Sequence, residues 1–118
     1  MKAKTLGTNG ENLAAHYLQS KGYEILKNNF TVRGGEIDLV TKQDNTLVFV
    51  EVKTRTSSSF GYGDESMNRL KKMRIHRAIQ RYLGDEDTDY RVDLVEIQLE
   101  PDKNTLKTIN HFEDIDYE

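Results

Sequence analysis

Cysteine is missing from the 118-residue chain, which excludes disulfides and thiolate metal sites and permits a reducing cytosol. No apolar run approaches the ~18 residues needed to cross a bilayer. The opening MKAKTLGTNGENLAAHYL carries some positive charge but not the continuous apolar segment of a secretory signal. A cytoplasmic protein without a membrane partner is therefore expected. Internal repeats, low-complexity tracts and linkers are absent too, so residues 1–118 read as one domain, long enough for a single core. Several enzyme signatures are also wanting. Gly34–Gly35 is followed by a strand pattern and not by Lys-Ser/Thr and a helix, so it is no phosphate loop. His16, His76 and His111 are not spaced with one another or with an acid as a metalloprotease requires, and no Ser-His-Asp order appears. Structural or surface roles are expected for all three histidines.

The composition is that of a soluble globule, 36% hydrophobic and 31% charged. Its formal net charge of −3 conceals an asymmetry. Residues 85–118 carry 12 acids and 3 bases, whereas residues 1–84 carry 8 acids and 14 bases. Either one surface is built to meet a polyanion, or the two ends of the chain neutralise each other in the fold.

Helical and strand periods alternate along the chain. TNGE at Thr8–Glu11 has capping-box spacing, with Thr8 as N-cap. Leu13, Ala14, Tyr17 and Leu18 then recur at helical spacing up to Gly22. YEILKNNF reads as a strand and VRGGE as a glycine turn; a hairpin follows, Glu36–Thr41 and Thr46–Lys53 around Asp44–Asn45. TRTSSSFGYGDE is a polar loop. A second helix is predicted from about Asp64 to Leu83, with Ile75, Ala78, Ile79 and Tyr82 as its apolar stripe. RVDLVEIQLE, a turn at Pro101–Asn104 and TLKTIN complete the order α-β-β-β-α-β-β, a mixed sheet flanked by helices in an α/β or α+β domain. Tyr17, Tyr23 and Tyr82 are expected in the core.

The hairpin holds an anomaly: Asp38, Glu51 and Lys53 interrupt its apolar runs. With a two-residue turn at Asp44–Asn45, Gln43 faces Thr46 and Asp38 falls opposite Glu51, their Cβ atoms roughly 4.5–5.5 Å apart. Lys53 lies on the same face, two residues beyond Glu51. Two like charges in register resist desolvation unless a cation sits between them. A divalent ion on Asp38, Glu51 and the Val52 carbonyl satisfies that need, with Lys53 directed at whatever anion the ion holds. The same register permits a plainer alternative, a cross-strand ion pair between Glu36 and Lys53.

GEIDLV followed by LVFVEVKTR resembles the PD-(D/E)XK nuclease superfamily, with Asp38 in the first motif and Glu51-x-Lys53 in the second. Within it the chain resembles the bacterial YraN family of predicted endonucleases, similar to archaeal Holliday junction resolvases. The segments GENLAAHYLQSKGYEIL, NNF, GGEIDLV, FVEVKTR, FGYGDE, AIQRYL and RVDLVEI carry the likeness, together with Lys71. The resemblance implies a restriction-endonuclease-like αβββαβ core and Mg²⁺- or Mn²⁺-dependent cleavage of DNA, more than RNA, with a preference for branched or structured substrates. It implies Asp38 and Glu51 as metal ligands, Lys53 as the catalytic lysine, and Glu11 as the acid completing the site. By analogy with cutting symmetric junctions it implies a homodimer. Isoleucine precedes Asp38 where the motif's name has proline.

Nucleic acid has a second signal. Between Met67 and Leu83 lie Arg69, Lys71, Lys72, Arg74, Arg77 and Arg81 without one acid. A solvated helix mixes signs to gain i,i+4 pairs, so phosphates would relieve this face, although a merely solvated face is the simpler account. Lys71, Lys72, Arg74 and, beside the site, Arg55 are the candidate phosphate contacts. Two other classes of function remain: a non-catalytic nucleic-acid-binding module on the same fold, and a protein-interaction domain using the acidic segment 85–118.

Overall fold

The structure is a computed structural model describing residues 6–56, 69–102 and 105–116, with the backbone alone for 6–9. Helix α1 (Leu6–Ser20) precedes strands β1 (Glu24–Val32), β2 (Gly35–Gln43) and β3 (Thr46–Thr56). Helix α2 (Arg69–Leu83) then leads to β4 (Tyr90–Leu99) and β5 (Leu106–Phe112). The element order is the one expected. Ser57–Ser59 and the predicted helix start near Asp64 lie outside the described residues.

Helix α1 forms because its apolar residues fall on one stripe, and Ala14 and Leu18 are fully buried. It closes on Gly22, whose φ of 93° is open to glycine. There the Gly22 N–H donates to the Gln19 carbonyl and the Tyr23 N–H to that of Leu18, both at 3.0 Å, which satisfies the last carbonyls. Tyr23 thereby turns into the core beside Leu18. The start differs from expectation. The helix runs from Leu6, so Thr8 lies inside its first turn and is not the N-cap of a capping box.

The five strands stand in chain order. Among the described strands only β3 and β4 pair in parallel, which demands a crossover, and α2 lies on it. Asp44 adopts a left-handed φ of 56°, and the hairpin closes with Gln43 opposite Thr46 and Leu39 opposite Val50, the expected register. Alternation along β3 divides the core. Val48 and Val50 pack with Ala14 and Leu18 of α1, whereas Phe49 packs with Ile75, Ala78 and Ile79 of α2. Tyr82 sets its ring edge-to-face on Phe49 and Phe30. Tyr17 is partly buried, so all three tyrosines join the core layers as expected.

Gly35 allows α2 to meet the sheet directly. A Cβ there would lie 2.4 Å from the Arg74 carbonyl oxygen and 3.0 Å from the Ala78 nitrogen, both backbone atoms. Gly35→Ala is therefore expected to push α2 off β2 and cost about 1–3 kcal/mol in urea unfolding.

The β2–β3 ladder ends at Leu39–Val50; beyond it β3 continues with β4 as far as Thr56–Leu99. On the other side of β2, Asn29 interrupts β1 with a φ of 55°, between the pairs Asn28–Leu39 and Phe30–Ile37. Beside it, Ile37 packs in the α2 layer and Leu39 in the α1 layer, although they are two residues apart. Asp38 sits at this break.

Candidate active site: a carboxyl cluster where two strands part

At the break, the carboxylate of Asp38 takes the place of a strand partner. Its Oδ2 accepts the Val52 N–H at 2.8 Å. The N–H and C=O of an extended residue point to the same edge, so the Val52 carbonyl opens toward the same gap. Glu51, the preceding residue, hydrogen-bonds Asp38, and Glu11 from α1 reaches both Asp38 and Asn29. The three acids are thus joined through Asp38, although among the described residues no three acidic or imidazole groups converge as a complete ion-holding set.

Glu11 arrives because its neighbour is glycine. A Cβ on Gly10 would lie 1.8 Å from Thr54 Oγ1 and 3.0 Å from Thr54 Cβ, so α1 rests on β3 at this point. Gly10→Ala is expected to lift the start of α1, destabilise the fold by about 1–3 kcal/mol, and withdraw Glu11 from Asp38. Urea unfolding checks the first effect and a pH titration of Glu11 by NMR the second.

Electrostatics mark the cluster as under-compensated. Burial, then the Asp38 charge, pushes Glu51 up to about 8, against the pull of Lys71. Burial and then Asp38 push Glu11 to about 7. Asp38 is itself raised by burial, tempered by the Val52 N–H and the bond from Glu51. Raised carboxyls sharing a hydrogen bond titrate as a unit. Lys71 from α2 balances the remaining charge through an ion pair with Glu51, whose side chain is only 5% exposed.

Lys71 therefore supplies the ammonium on Glu51. Lys53 keeps to the same face of β3 by alternation, half-buried, in parallel register with Glu96. The alternative pair of Glu36 with Lys53 is replaced: Glu36 meets Arg74 Nη2 at 3.1 Å, both side chains about half exposed, a contact of small energetic consequence. Arg55, expected at the nucleic-acid surface, is 10% exposed and bonded to Glu96 at 3.2 Å. Lys72 is half-buried, whereas Arg69, Arg74, Arg77 and Arg81 are exposed along α2. His16 and His76 are on the surface.

A second polar cluster lies on the α1 side. Asp93 is fully buried, and burial alone would raise it. Bonds from His111 at 2.8 Å, Arg91 at 3.0 Å and the Asp114 N–H at 2.9 Å hold it below its usual range. Arg91 also donates to the Tyr23 hydroxyl at 2.7 Å and to Gln43. This network ties β4 and β5 to the end of α1, the structural role expected of His111. Among the described residues, Lys71–Glu51 and Arg74–Glu36 pair within the basic part, Arg91 pairs with Asp93 and Glu113 within the acidic part, and Arg55–Glu96 joins the two.

Sequence reasoning missed the Lys71–Glu51 pair and Asn29 as the partner of Glu11. Lys71 had a signal. It stands four residues before Ile75 and seven before Ala78, on the stripe that faces the sheet. Asn29 had a weaker one, since asparagine tolerates the left-handed φ that breaks a strand.

Residues 10–97, a span holding every member of the carboxyl cluster, match the profile of the uncharacterised protein family UPF0102. The chain belongs to UPF0102. This is the family expected from the sequence under the name YraN. A UPF0102 protein of Alkaliphilus oremlandii is 46% identical over 115 residues, covering 93% of this chain and 96% of its own. Another, from Caldicellulosiruptor bescii, is 45% identical over 118 residues, covering 97% and 98%. A third, from Caldanaerobacter subterraneus, is 44% identical over 111 residues, covering 92% and 91%. The UPF0102 match ends before β5, so it takes in Asp93 but not His111.

Proposed function

We propose that this UPF0102 protein is a metal-dependent phosphodiester hydrolase acting on DNA, with branched or otherwise structured DNA as its preferred substrate. The observation that carries the reading is the linked Glu11–Asp38–Glu51 cluster at the parting of β2 and β3, buried at Glu51 and half-buried at Glu11 and Asp38, where desolvation and mutual repulsion disfavour the charged forms. An all-oxygen donor set suits a hard divalent ion. Asp38, Glu51 and the Val52 carbonyl are the groups that would hold Mg²⁺ or Mn²⁺, which when bound supplies Lewis acidity and a water of lowered pKa. The chain's own residues do the rest. Lys53, on the Glu51 face, orients the scissile phosphate and balances its charge. Glu11, close to neutral pH in its titration, accepts and returns a proton. Lys71, Lys72 and Arg74 on α2 and, once freed from Glu96, Arg55 contact phosphates on either side, so binding weakens steeply with salt. Cutting both strands of a symmetric junction needs two such sites, for which a homodimer is the economical form. The reading places the protein in the cytoplasm; among the described residues no helix is long and apolar enough to cross a membrane.

The test is a panel of duplex, single-stranded and branched DNA with Mg²⁺ or Mn²⁺, run on wild type and Asp38→Asn together. Metal-dependent nicking by the wild type alone is the expected result; equal cleavage by both proteins would identify a contaminating nuclease. The Lys71–Glu51 ion pair favours one rival, a non-catalytic nucleic-acid-binding module whose carboxyls need no metal. Calorimetric titration separates the two, because DNA binding without any Mn²⁺ binding at millimolar concentration would select the module.

A further inference from the structure

We propose that Lys71 is a built-in cation that competes with the divalent ion for Glu51, so that metal loading expels its ammonium toward the substrate. This rests on the reading of the cluster as a metal site, and concerns how that site is controlled.

Lys71 forms its ion pair through Nζ with Oε2 of Glu51. Both come from the α2 side of the sheet: Glu51 follows Phe49 on that face of β3, and Lys71 opens the stripe that continues with Ile75 and Ala78. The carboxylate is 5% exposed, whereas the lysine side chain is 34% exposed. Glu51 is therefore fixed and enclosed, with Asp38 on one side and Lys71 on another, while the lysine has a route outward. An ion bound between Asp38 and Glu51 would use the oxygens that now face Lys71 and Asp38. Two positive centres cannot share so enclosed a carboxylate without repulsion that water does not screen. The lysine is the partner that can leave. Its four-carbon stem lets the ammonium swing to solvent, or to a phosphate held at the site, while the enclosed carboxylate exchanges it for the ion. In this way Glu51 already carries a cation before metal arrives, and loading presents a freed ammonium on the helix that already carries Arg74 and Arg77.

Competition of this kind weakens apparent metal affinity by the fraction of time the lysine is absent from Glu51. If Lys71 occupies the carboxylate about nine-tenths of the time, its removal tightens Mn²⁺ binding about tenfold. The experiment is calorimetric titration of MnCl₂ alone into wild type, Lys71→Gln, Lys71→Arg and Arg69→Gln, with urea unfolding of each in EDTA. Lys71→Gln is expected to bind Mn²⁺ about tenfold more tightly than wild type and to be less stable in EDTA. Lys71→Arg, whose fork grips a carboxylate at two points, is expected to bind more weakly than Lys71→Gln. Arg69→Gln removes the same charge from the same turn without touching Glu51, and its affinity is expected to match wild type. Unchanged or weaker binding by Lys71→Gln overturns the proposal, as does equal tightening by Arg69→Gln, which would reduce the effect to general charge. If wild type and Lys71→Gln both fail to bind Mn²⁺, the metal-site reading falls as well. If wild type binds and Lys71→Gln binds equally, only the competition falls.

Discussion

Asp38→Asn is expected to lower metal-dependent cleavage by about a thousandfold or more while leaving the fold intact and slightly more stable. The fold survives because the contact that Asp38 makes at the strand break can be kept: an amide oxygen accepts the Val52 N–H as the carboxylate Oδ2 does at 2.8 Å. The amide nitrogen then donates to the carboxyls of Glu11 and Glu51, which now face a neutral neighbour. Removing one of three crowded acids is expected to raise metal-free stability by about 1 kcal/mol. Activity fails for the same reason. A neutral amide is a poor ligand for a hard cation, and losing about 4 kcal/mol of transition-state stabilisation is a factor of ~10³ in rate. The measurement is nicking of branched DNA under single-turnover conditions, with circular dichroism and thermal unfolding on the same preparations. Retained cleavage, or a variant that does not fold, would remove Asp38 from the centre of the site.

The metal-free protein should lose stability as pH rises from 5 to 8, opposite to the behaviour of ordinary salt-bridged carboxylates. Glu51 titrates near 8 and Glu11 near 7 in the folded chain, both from a starting value of 4.5. Between those limits the folded state keeps protons that the unfolded chain has released. The stability they represent is fully present below about 4.5 and is lost as pH rises through the folded values. After allowance for sharing within the cluster and for the exposure of Glu11, the expected loss is roughly 3 kcal/mol across the window. Asp93 works in the other direction. Its pKa is lowered from 3.8, so its contribution is present above that value and disappears in stronger acid. Urea unfolding in EDTA at pH 5, 6.5 and 8 should therefore show a steady decline, which Glu51→Gln flattens. Millimolar Mn²⁺ should oppose it too, since a bound cation favours the ionised forms. A stability that stays level or climbs over this range would mean that the carboxyls are better solvated than their burial indicates.

The parts of the site differ in how much local sequence reveals. Asp44–Asn45 is a turn pair, and once its length is two residues the register of β2 against β3 follows, bringing Asp38 to Glu51. The apolar periods of α1 and α2 place those helices, and Ala14, Leu18, Ile75 and Ala78 are buried as the periods require. Alternation alone misleads at Asp38, because Ile37 and Leu39 on either side of it pack in different layers. Arg55 reads as a phosphate contact bordering the site beside Lys53, yet its partner Glu96 is 41 residues away in sequence.

By itself the sequence determined the order of elements, the hairpin register and the family, and it singled out the candidate acids, since each depends on neighbours within a turn or on motifs read along the chain. Only the tertiary structure decided that Lys71 stands on Glu51, that Glu11 reaches Asp38 past a bare Gly10, and that Arg55 is held by Glu96. Those pairings join residues from different elements, and which long side chain finds a buried charge depends on how closely helix and sheet approach, a distance no local pattern encodes.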